Sequence, residues 1–373
     1  MRSSSRDEPK KLYVELTTEC NLDCAMCIRH SWTNDGGSMS EKTIDAIMTG
    51  LDGAESITTV NLSGFGEAMR HPGFWDVLTR LKDKGLFVEV ISNGFWADED
   101  TAGRLIDLKL DRLIVSIDSL DQESDTMLHP GSFAKISENL NSLHKLRLAD
   151  RLEYPQTHIE FVATKKNIRE LPSLQQLAPV LGFSKILVTN VIPHTPELAS
   201  QTLYEDGEIT SRTPVASPRS VEVDLPVMDP NIRTGRTVQQ LSRGGARVLV
   251  NGAEILGAVA RCRFVTEGRL AIRWDGRVSP CLSLMHEYAY HHNGRTKRMR
   301  PYHIGDVNQT PPDDIWRSDE YVDFRRRVRD FEFSPCLDCG DCDLRETNEE
   351  DCYSDQFPRC GECLWAYGLI QCP

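Results

Sequence analysis

The sequence has no run of about 18 apolar residues, so no part of it is expected to cross a membrane as a helix. Met1 to Lys11 is polar and lacks the apolar core of a secretory signal. A basic excess is missing too. Lys and Arg number 43 against 56 Asp and Glu, a formal net charge of −13, which argues against a general nucleic-acid binder. No cysteine occurs between Ile28 and Arg261, although the 373 residues contain 12. Together these absences predict a cytoplasmic protein with reduced thiols. In such a compartment, clustered cysteines point to metal or catalysis rather than to disulfides. A chain this long builds two or three units and does not need crosslinks to compensate for a small core.

The first half alternates strand-like and helix-like segments. Short β-branched or apolar runs at Leu12–Thr17, Ser56–Ser63, Leu86–Ile91, Arg112–Ile117, Thr157–Thr164 and Ser184–Val191 predict six strands. Helices are predicted between them at Ser40–Gly50, Phe74–Lys84, Glu99–Leu108, Lys135–Leu148 and Leu171–Leu181, with Ser40 as an N-cap and Gly85 and Gly182 as stops. Such alternation implies parallel βα units with right-handed connections. Polar or Gly-containing residues follow strand after strand: Cys20, Gly64, Ser92-Asn93, Asp118 and Asn190. That C-terminal edge is where parallel α/β folds bind ligands.

From His194 to about Gly257 the alternation fails, and a linker, insertion or lid is expected over 196–257. Beyond it, Asp275-Gly276 between Arg269–Trp274 and Val278–Leu282 is a strong hairpin signal. Ile315–Phe331 reads as one amphipathic helix, and the tail from Pro335 is Cys-rich and acidic. No internal repeat is evident.

Three cysteines, Cys20-x3-Cys24-x2-Cys27, follow the first strand on a tight loop. Three thiolates can hold three irons of a [4Fe–4S] cluster and leave the fourth open to a non-protein ligand. A zinc site borrowing a distant ligand is the alternative. Behind this group, Ser63-Gly64-Phe65-Gly66-Glu67 ends the second strand; its small residues allow backbone carbonyls to come close to a ligand.

These residues resemble the radical S-adenosylmethionine (SAM) superfamily over 10–195. The resemblance implies a partial (β/α)6 TIM-like barrel. It also implies an open cluster whose free iron chelates SAM, and reductive cleavage of SAM to a 5′-deoxyadenosyl radical. The SAM site it implies takes in Met26, where the family often has an aromatic residue, and Gly64, Phe65, Gly66 and Glu67, with Ala68 in place of the usual Pro. Ser92 and Asn93, Ser116 and Asp118 would lie near the methionine carboxylate and the ribose, and Asn190 along adenine. Each of these is also a normal turn or cap residue.

Cys262, thirteen residues, Gly276, four residues and Cys281 resemble the opening of a SPASM domain, expected over 258–373 as a Cys-rich iron–sulfur domain. Cys336, Cys339, Cys342, Cys352, Cys360, Cys363 and Cys372 follow. Nine thiols match two further [4Fe–4S] clusters with one to spare. Arg345 stands where the usual spacing would place a cysteine. The rival is a zinc ribbon on Cys336-x2-Cys339 and Cys360-x2-Cys363.

The ending Cys360-Gly-Glu-Cys363-Leu-Trp-Ala-Tyr-Gly-Leu-Ile-Gln-Cys372-Pro resembles a radical SAM subgroup of maturases associated with tungsten-containing aldehyde ferredoxin oxidoreductases. It implies an enzyme that modifies a tungsten cofactor precursor or a peptide of its partner, with ferredoxin or flavodoxin as reductant. Peptide modification of the sulfatase or thioether type is the alternative, although Leu282 replaces the carboxylate of sulfatase-maturing relatives. A non-catalytic zinc or electron-carrier protein leaves unexplained why one cysteine group has only three members. No catalytic base is assigned; Glu160 and His194 are candidates by their position near strand ends.

Overall fold

The structure is a computed structural model that describes residues 8–34, 36–96, 100–120, 132–204, 221–229, 231–243, 246–252, 262–292, 294–331, 333–334, 342–353 and 357–373. In chain order the first elements are β1 (Lys11–Val14), α1 (Glu41–Asp52), β2 (Thr59–Leu62), α2 (Phe74–Asp83), β3 (Phe87–Ser92), α3 (Thr101–Asp107) and β4 (Arg112–Ser116). Next come α4 (Ser132–Ala149), β5 (Gln156–Ala163), α5 (Leu171–Leu177), β6 (Lys185–Asn190), α6 (Pro196–Ala199), β7 (Glu222–Leu225), α7 (Ile232–Arg243) and β8 (Arg247–Val250). The last are α8 (Arg263–Thr266), β9 (Arg269–Ile272), β10 (Arg277–Ser279), β11 (Tyr288–His292), β12 (Arg295–Met299), β13 (Gly305–Asp306), α9 (Pro312–Arg317) and α10 (Asp319–Asp330). The protein is therefore mixed α/β, and the six expected strands are β1 to β6.

The chain divides into two compact units. One is drawn from Met1–Asn21, Ile28–Val90 and Ala260–Ala366, the other from Leu22–Cys27, Ile91–Val259 and Tyr367–Pro373. In the first unit β9, β1, β2 and β3 lie side by side and parallel. Strand β10 pairs antiparallel with β9, and β13 with β10. Val14, Leu62, Val60, Val88 and Ile272 are fully or almost fully buried, as strands covered on both faces require. Helix α1 starts where the sequence predicts: Ser40 is extended and its hydroxyl accepts from the Thr43 amide at 3.2 Å. Strands β11 and β12 form a separate antiparallel hairpin.

In the second unit β4, β5, β6, β7 and β8 run in order, all parallel. The stretch read as patternless thus contains a strand, a helix and a strand that extend the parallel sheet beyond β6. The segment expected to be one helix at Ile315–Phe331 is two. Ser318 is extended and its hydroxyl caps the Tyr321 amide, so the chain restarts there as α10. The Asp275-Gly276 hairpin joins β9 and β10 as expected, with Gly276 at φ +91°. Among the described residues no helix is long and apolar enough to cross a membrane.

Candidate functional site

The segment leading to Cys20 is laced to residues 36–39. The Thr18 amide donates to the Gly37 carbonyl at 2.9 Å, and the Gly37 amide returns a bond to the Thr18 hydroxyl at 2.8 Å. The Met39 amide donates to Leu16 O at 2.7 Å, and the Thr17 and Ser38 hydroxyls meet at 2.6 Å. Strand β1 therefore ends against a fixed strap. Beyond it, the Cys27 amide closes a turn on the Cys24 carbonyl at 2.9 Å. Cys20, Cys24, Met26 and Cys27 are each partly accessible. Cys20 falls in the first unit, and Cys24 and Cys27 in the second.

The Gly64–Glu67 loop follows β2 in the first unit and presses on the Thr17–Glu19 segment. A Cβ on Gly66 would stand 2.4 Å from Thr17 O and 2.6 Å from Glu19 O, closer than real atoms approach. Only glycine lets these two backbones meet. The Glu67 amide donates to Glu19 O at 2.8 Å, and its carboxylate caps the Met69 amide at 3.4 Å. Beneath the loop lies Glu15, 1 % exposed. Its Oε1 accepts from the Phe65 amide at 3.2 Å and its Oε2 from His286 Nε2 at 2.8 Å. Trp32 stacks on the His286 ring with centroids 4.0 Å apart, and Phe65 meets that ring edge-on at 5.5 Å. Sequence reasoning missed Glu15 and His286; a carboxylate inside a buried strand pattern was the available signal.

In the second unit the strand-end polar residues carry structural bonds. Ser92 Oγ accepts from the Gly94 amide at 3.0 Å and from Trp96 Nε1 at 3.3 Å, and Asn93 Oδ1 accepts from the Phe95 amide at 2.8 Å. Asp118 Oδ1 accepts from the Val162 amide at 2.7 Å, tying the end of β4 to β5. Ser116 is in register with Glu160. Asn190 is the residue expected along adenine. It is 1 % exposed, and its amide nitrogen donates to Val227 O at 2.9 Å and Leu369 O at 2.8 Å. Its side chain holds the C-terminal segment, which Gln371 also ties to β6 through Thr189 and Val188. His194 is buried, and burial pushes the Glu160 carboxyl up to about 7.

The C-terminal cysteines of the first unit show a grouping that spacing alone did not reveal. Cys262 and Cys281 flank the β9–β10 hairpin, and Cys360 and Cys363 lie on one turn whose Cys363 amide donates to Cys360 O at 3.1 Å. Burial pushes the Cys262 thiol up to about 12, with the charge of Cys363 adding to it. Burial raises Cys281 and Cys360 well above the usual thiol range and raises Cys363 as well. For Cys281 the neighbouring Cys363, Cys262 and Cys360 add to the rise; for Cys360, Cys363 and Cys262 do. Amides of Phe264 and Val265 aim at the Cys262 sulfur, and those of Trp365 and Ala366 at Cys363. Four thiols that oppose one another's ionisation, Cys360 buried and the other three partly accessible, suit binding as thiolates to a cationic centre. Amides aimed at sulfur suit an iron–sulfur cluster. Among the described residues no three His, Cys, Asp or Glu side chains converge to hold a single metal ion.

Arg345 is buried at 5 % exposure and occupied. Its guanidinium meets Glu362 Oε1 at 2.5 Å, and Lys297 Nζ meets Glu362 Oε2 at 2.7 Å. Glu362 lies between Cys360 and Cys363, so two cations flank that turn for one carboxylate. Cys342 is partly accessible and Cys352 exposed, Cys372 belongs to the second unit, and Cys336 and Cys339 lie outside the described residues. The ten described cysteines form no disulfide.

Comparison with known proteins adds to this geometry. Residues 14–160 match the Radical SAM superfamily, and residues 262–343 match the SPASM iron–sulfur cluster-binding domain. The chain is 29% identical over 371 residues to the tungsten-containing aldehyde ferredoxin oxidoreductase cofactor-modifying protein of Pyrococcus furiosus, covering 98% of this chain and 97% of the relative. It is 28% identical over 188 residues to mycofactocin maturase MftC of Mycobacterium ulcerans, about half of each chain. The solved structure of anSMEcpe with bound AdoMet superposes with a TM-score of 0.58 at 15% identity, covering 96% of this chain and 91% of that one. SuiB of Streptococcus suis bound to S-adenosylmethionine superposes with a TM-score of 0.56 at 15% identity, covering 93% and 74%. A radical SAM domain binds a [4Fe–4S] cluster with SAM, and a SPASM domain binds auxiliary iron–sulfur clusters. The chain therefore carries a radical SAM domain over residues 14–160 and a SPASM iron–sulfur domain over residues 262–343.

Proposed function

We propose that this enzyme acts in the maturation of a tungsten-containing oxidoreductase, modifying its tungstopterin precursor or a peptide segment of it. The observation that carries this reading is similarity along nearly the whole chain, not one domain, to a protein named for modifying that cofactor. The last part of that ending, Tyr367–Pro373, belongs to the second unit: Gly368 O accepts from the Val227 amide at 2.9 Å, and Leu369 O from Asn190. A docked ending is consistent with a whole-length relationship.

In this reading Cys20, Cys24 and Cys27 hold the open cluster. The Gly64–Glu67 loop presents its backbone to the SAM amino group, with Glu15 and His286 holding the loop from beneath. Ser92, Asn93, Ser116 and Asp118 are assigned to SAM binding. Cys262, Cys281, Cys360 and Cys363 hold one auxiliary cluster, and the remaining C-terminal cysteines supply a second. A [4Fe–4S] cluster binding SAM supplies one-electron reductive cleavage, and with it a carbon radical able to abstract hydrogen. The chain's residues bind, orient and exclude solvent. Ferredoxin or flavodoxin in the cytoplasm serves as reductant.

Co-expression of a tungsten-containing oxidoreductase with this protein tests the reading. Oxidoreductase activity should appear with the wild type and fail with Cys24→Ala; equal activity without the wild type would sink it. A second reading, peptide modification, is supported by the similarity to a mycofactocin maturase over half the chain. It predicts instead a mass change on a short Cys- or Ser-rich peptide.

A further inference from the structure

A cleft of about 950 Å³ opens in the second unit, lined in part by Lys165, Arg169, Leu203, Ile232, Arg233 and Arg236. Each comes from the chain just beyond the C-terminal end of a parallel strand. Lys165 and Arg169 follow β5, Leu203 lies on the return from β6, and Ile232, Arg233 and Arg236 open α7 after β7. Ligands of parallel α/β sheets bind at that edge. The connections are tied together there: the Lys165 amide donates to Gln201 O at 2.8 Å, the Asp229 amide to Leu203 O at 2.8 Å, and the Arg233 guanidinium to Lys165 O at 2.9 Å. The cleft walls are thus fixed by backbone bonds rather than by chance placement of surface side chains.

Among the described residues the lining has four cations and no carboxylate, in a chain where acidic residues outnumber basic ones by 56 to 43. An arrangement so far from the chain's average charge concentrates positive potential in one concavity. Three of the four are arginines, whose planar forks match phosphate oxygens two at a time. Leu203 is buried in the wall, while Ile232 is 76% exposed. The cleft therefore offers apolar surface beside the guanidinium groups. Its volume lies within the roughly 300–1,000 Å³ usual for small-molecule sites, and a concave site of this kind suits a compact ligand better than an extended acidic chain.

We propose that this cleft binds a phosphate-bearing small molecule with an apolar body, the phosphate on Arg169, Arg233 and Arg236 and the body against Leu203 and Ile232. Among the described residues its lining shares none with the cysteine groups or the Gly64–Glu67 loop, and the proposal stands or falls independently of the tungsten reading.

The test uses the full chain with its clusters reconstituted anaerobically, titrated calorimetrically with phenyl phosphate, phenol and hexaglutamate. Phenyl phosphate should bind saturably and phenol should not. Binding should weaken at least tenfold in Arg169→Glu/Arg236→Glu and again when salt is raised from 0.1 to 0.5 M. SAM cleavage by the variant should match the wild type, which shows that it folds; Arg169→Gln/Arg236→Gln provides a milder second variant. Equal affinity in wild type and variants, no saturable binding of phenyl phosphate, or binding of hexaglutamate in its place would overturn the proposal.

Discussion

Glu15 and His286, 271 positions apart, share a buried hydrogen bond of 2.8 Å, and the other oxygen of Glu15 accepts from the Phe65 amide. One carboxylate thus joins the loop after β2 to a residue of the SPASM region. Removing the imidazole leaves a buried acceptor unmet, which costs roughly 1–3 kcal/mol. His286→Ala should lower the melting temperature and weaken SAM binding while the iron content stays near that of the wild type. Unchanged SAM affinity would separate the pair from the loop's function.

Gly66 makes a sharper test of the same loop. A methyl group there collides with the carbonyls of Thr17 and Glu19, so the loop or the Thr17–Glu19 backbone must move. Overpacking of this kind costs roughly 1–3 kcal/mol. Gly66→Ala should abolish most SAM cleavage yet keep the iron bound. Full activity would show that the loop's backbone does not touch SAM.

The buried trio of Arg345, Glu362 and Lys297 stands beside Cys360 and Cys363. Breaking a buried ion pair from one side typically costs about 3–5 kcal/mol. Lys297 remains with Glu362 in Arg345→Met, so the lower end is expected, together with loss of iron from the C-terminal region. Restoring a cysteine with Arg345→Cys should destabilise similarly. Iron content and thermal melting under anaerobic conditions read both outcomes.

Glu160 gives a pH signature. Burial raises its carboxyl from an ordinary 4.5 to about 7. Between those values the folded protein keeps a proton that the unfolded chain has released. Its contribution is therefore fully present below about pH 4.5 and is lost as pH rises through 7. The loss amounts to at most about 3 kcal/mol, less whatever solvent screens at this partly accessible residue. Glu160→Gln should melt like the wild type at pH 5 and above it at pH 8. Parallel melting curves across that range would contradict the assignment.

Local patterns were legible in the sequence, and long-range partners were not. The six β-branched runs became β1 to β6, Ser40 capped α1, and Asp275-Gly276 turned a hairpin, because each depends on neighbours within a few residues. Strands β7 and β8 were missed. Glu-Val-Asp-Leu and Arg-Val-Leu-Val are four-residue strands with charged positions, and α7 has few apolar residues and an internal Gly235. The break at Ser318 was hidden because apolar periodicity continues through it at Ile315, Trp316, Tyr321, Phe324 and Val328. Within the site, the cysteine groups and the glycine loop stood out by spacing. The pairing of Arg345 with Glu362, of Glu15 with His286, and of Asn190 with the C-terminal segment depends on folding across 17, 271 and 179 residues.

The central claim is that Cys20, Cys24 and Cys27 hold a SAM-binding cluster with an open iron. Anaerobic reconstitution followed by dithionite reduction in the presence of SAM measures it directly. The wild type, with about 12 irons per chain for three [4Fe–4S] clusters, should release 5′-deoxyadenosine and methionine. Cys24→Ala should release neither and keep about 8 irons, those of the two auxiliary clusters. Cleavage that persists in Cys24→Ala, or its absence from a fully loaded wild type, would contradict the account.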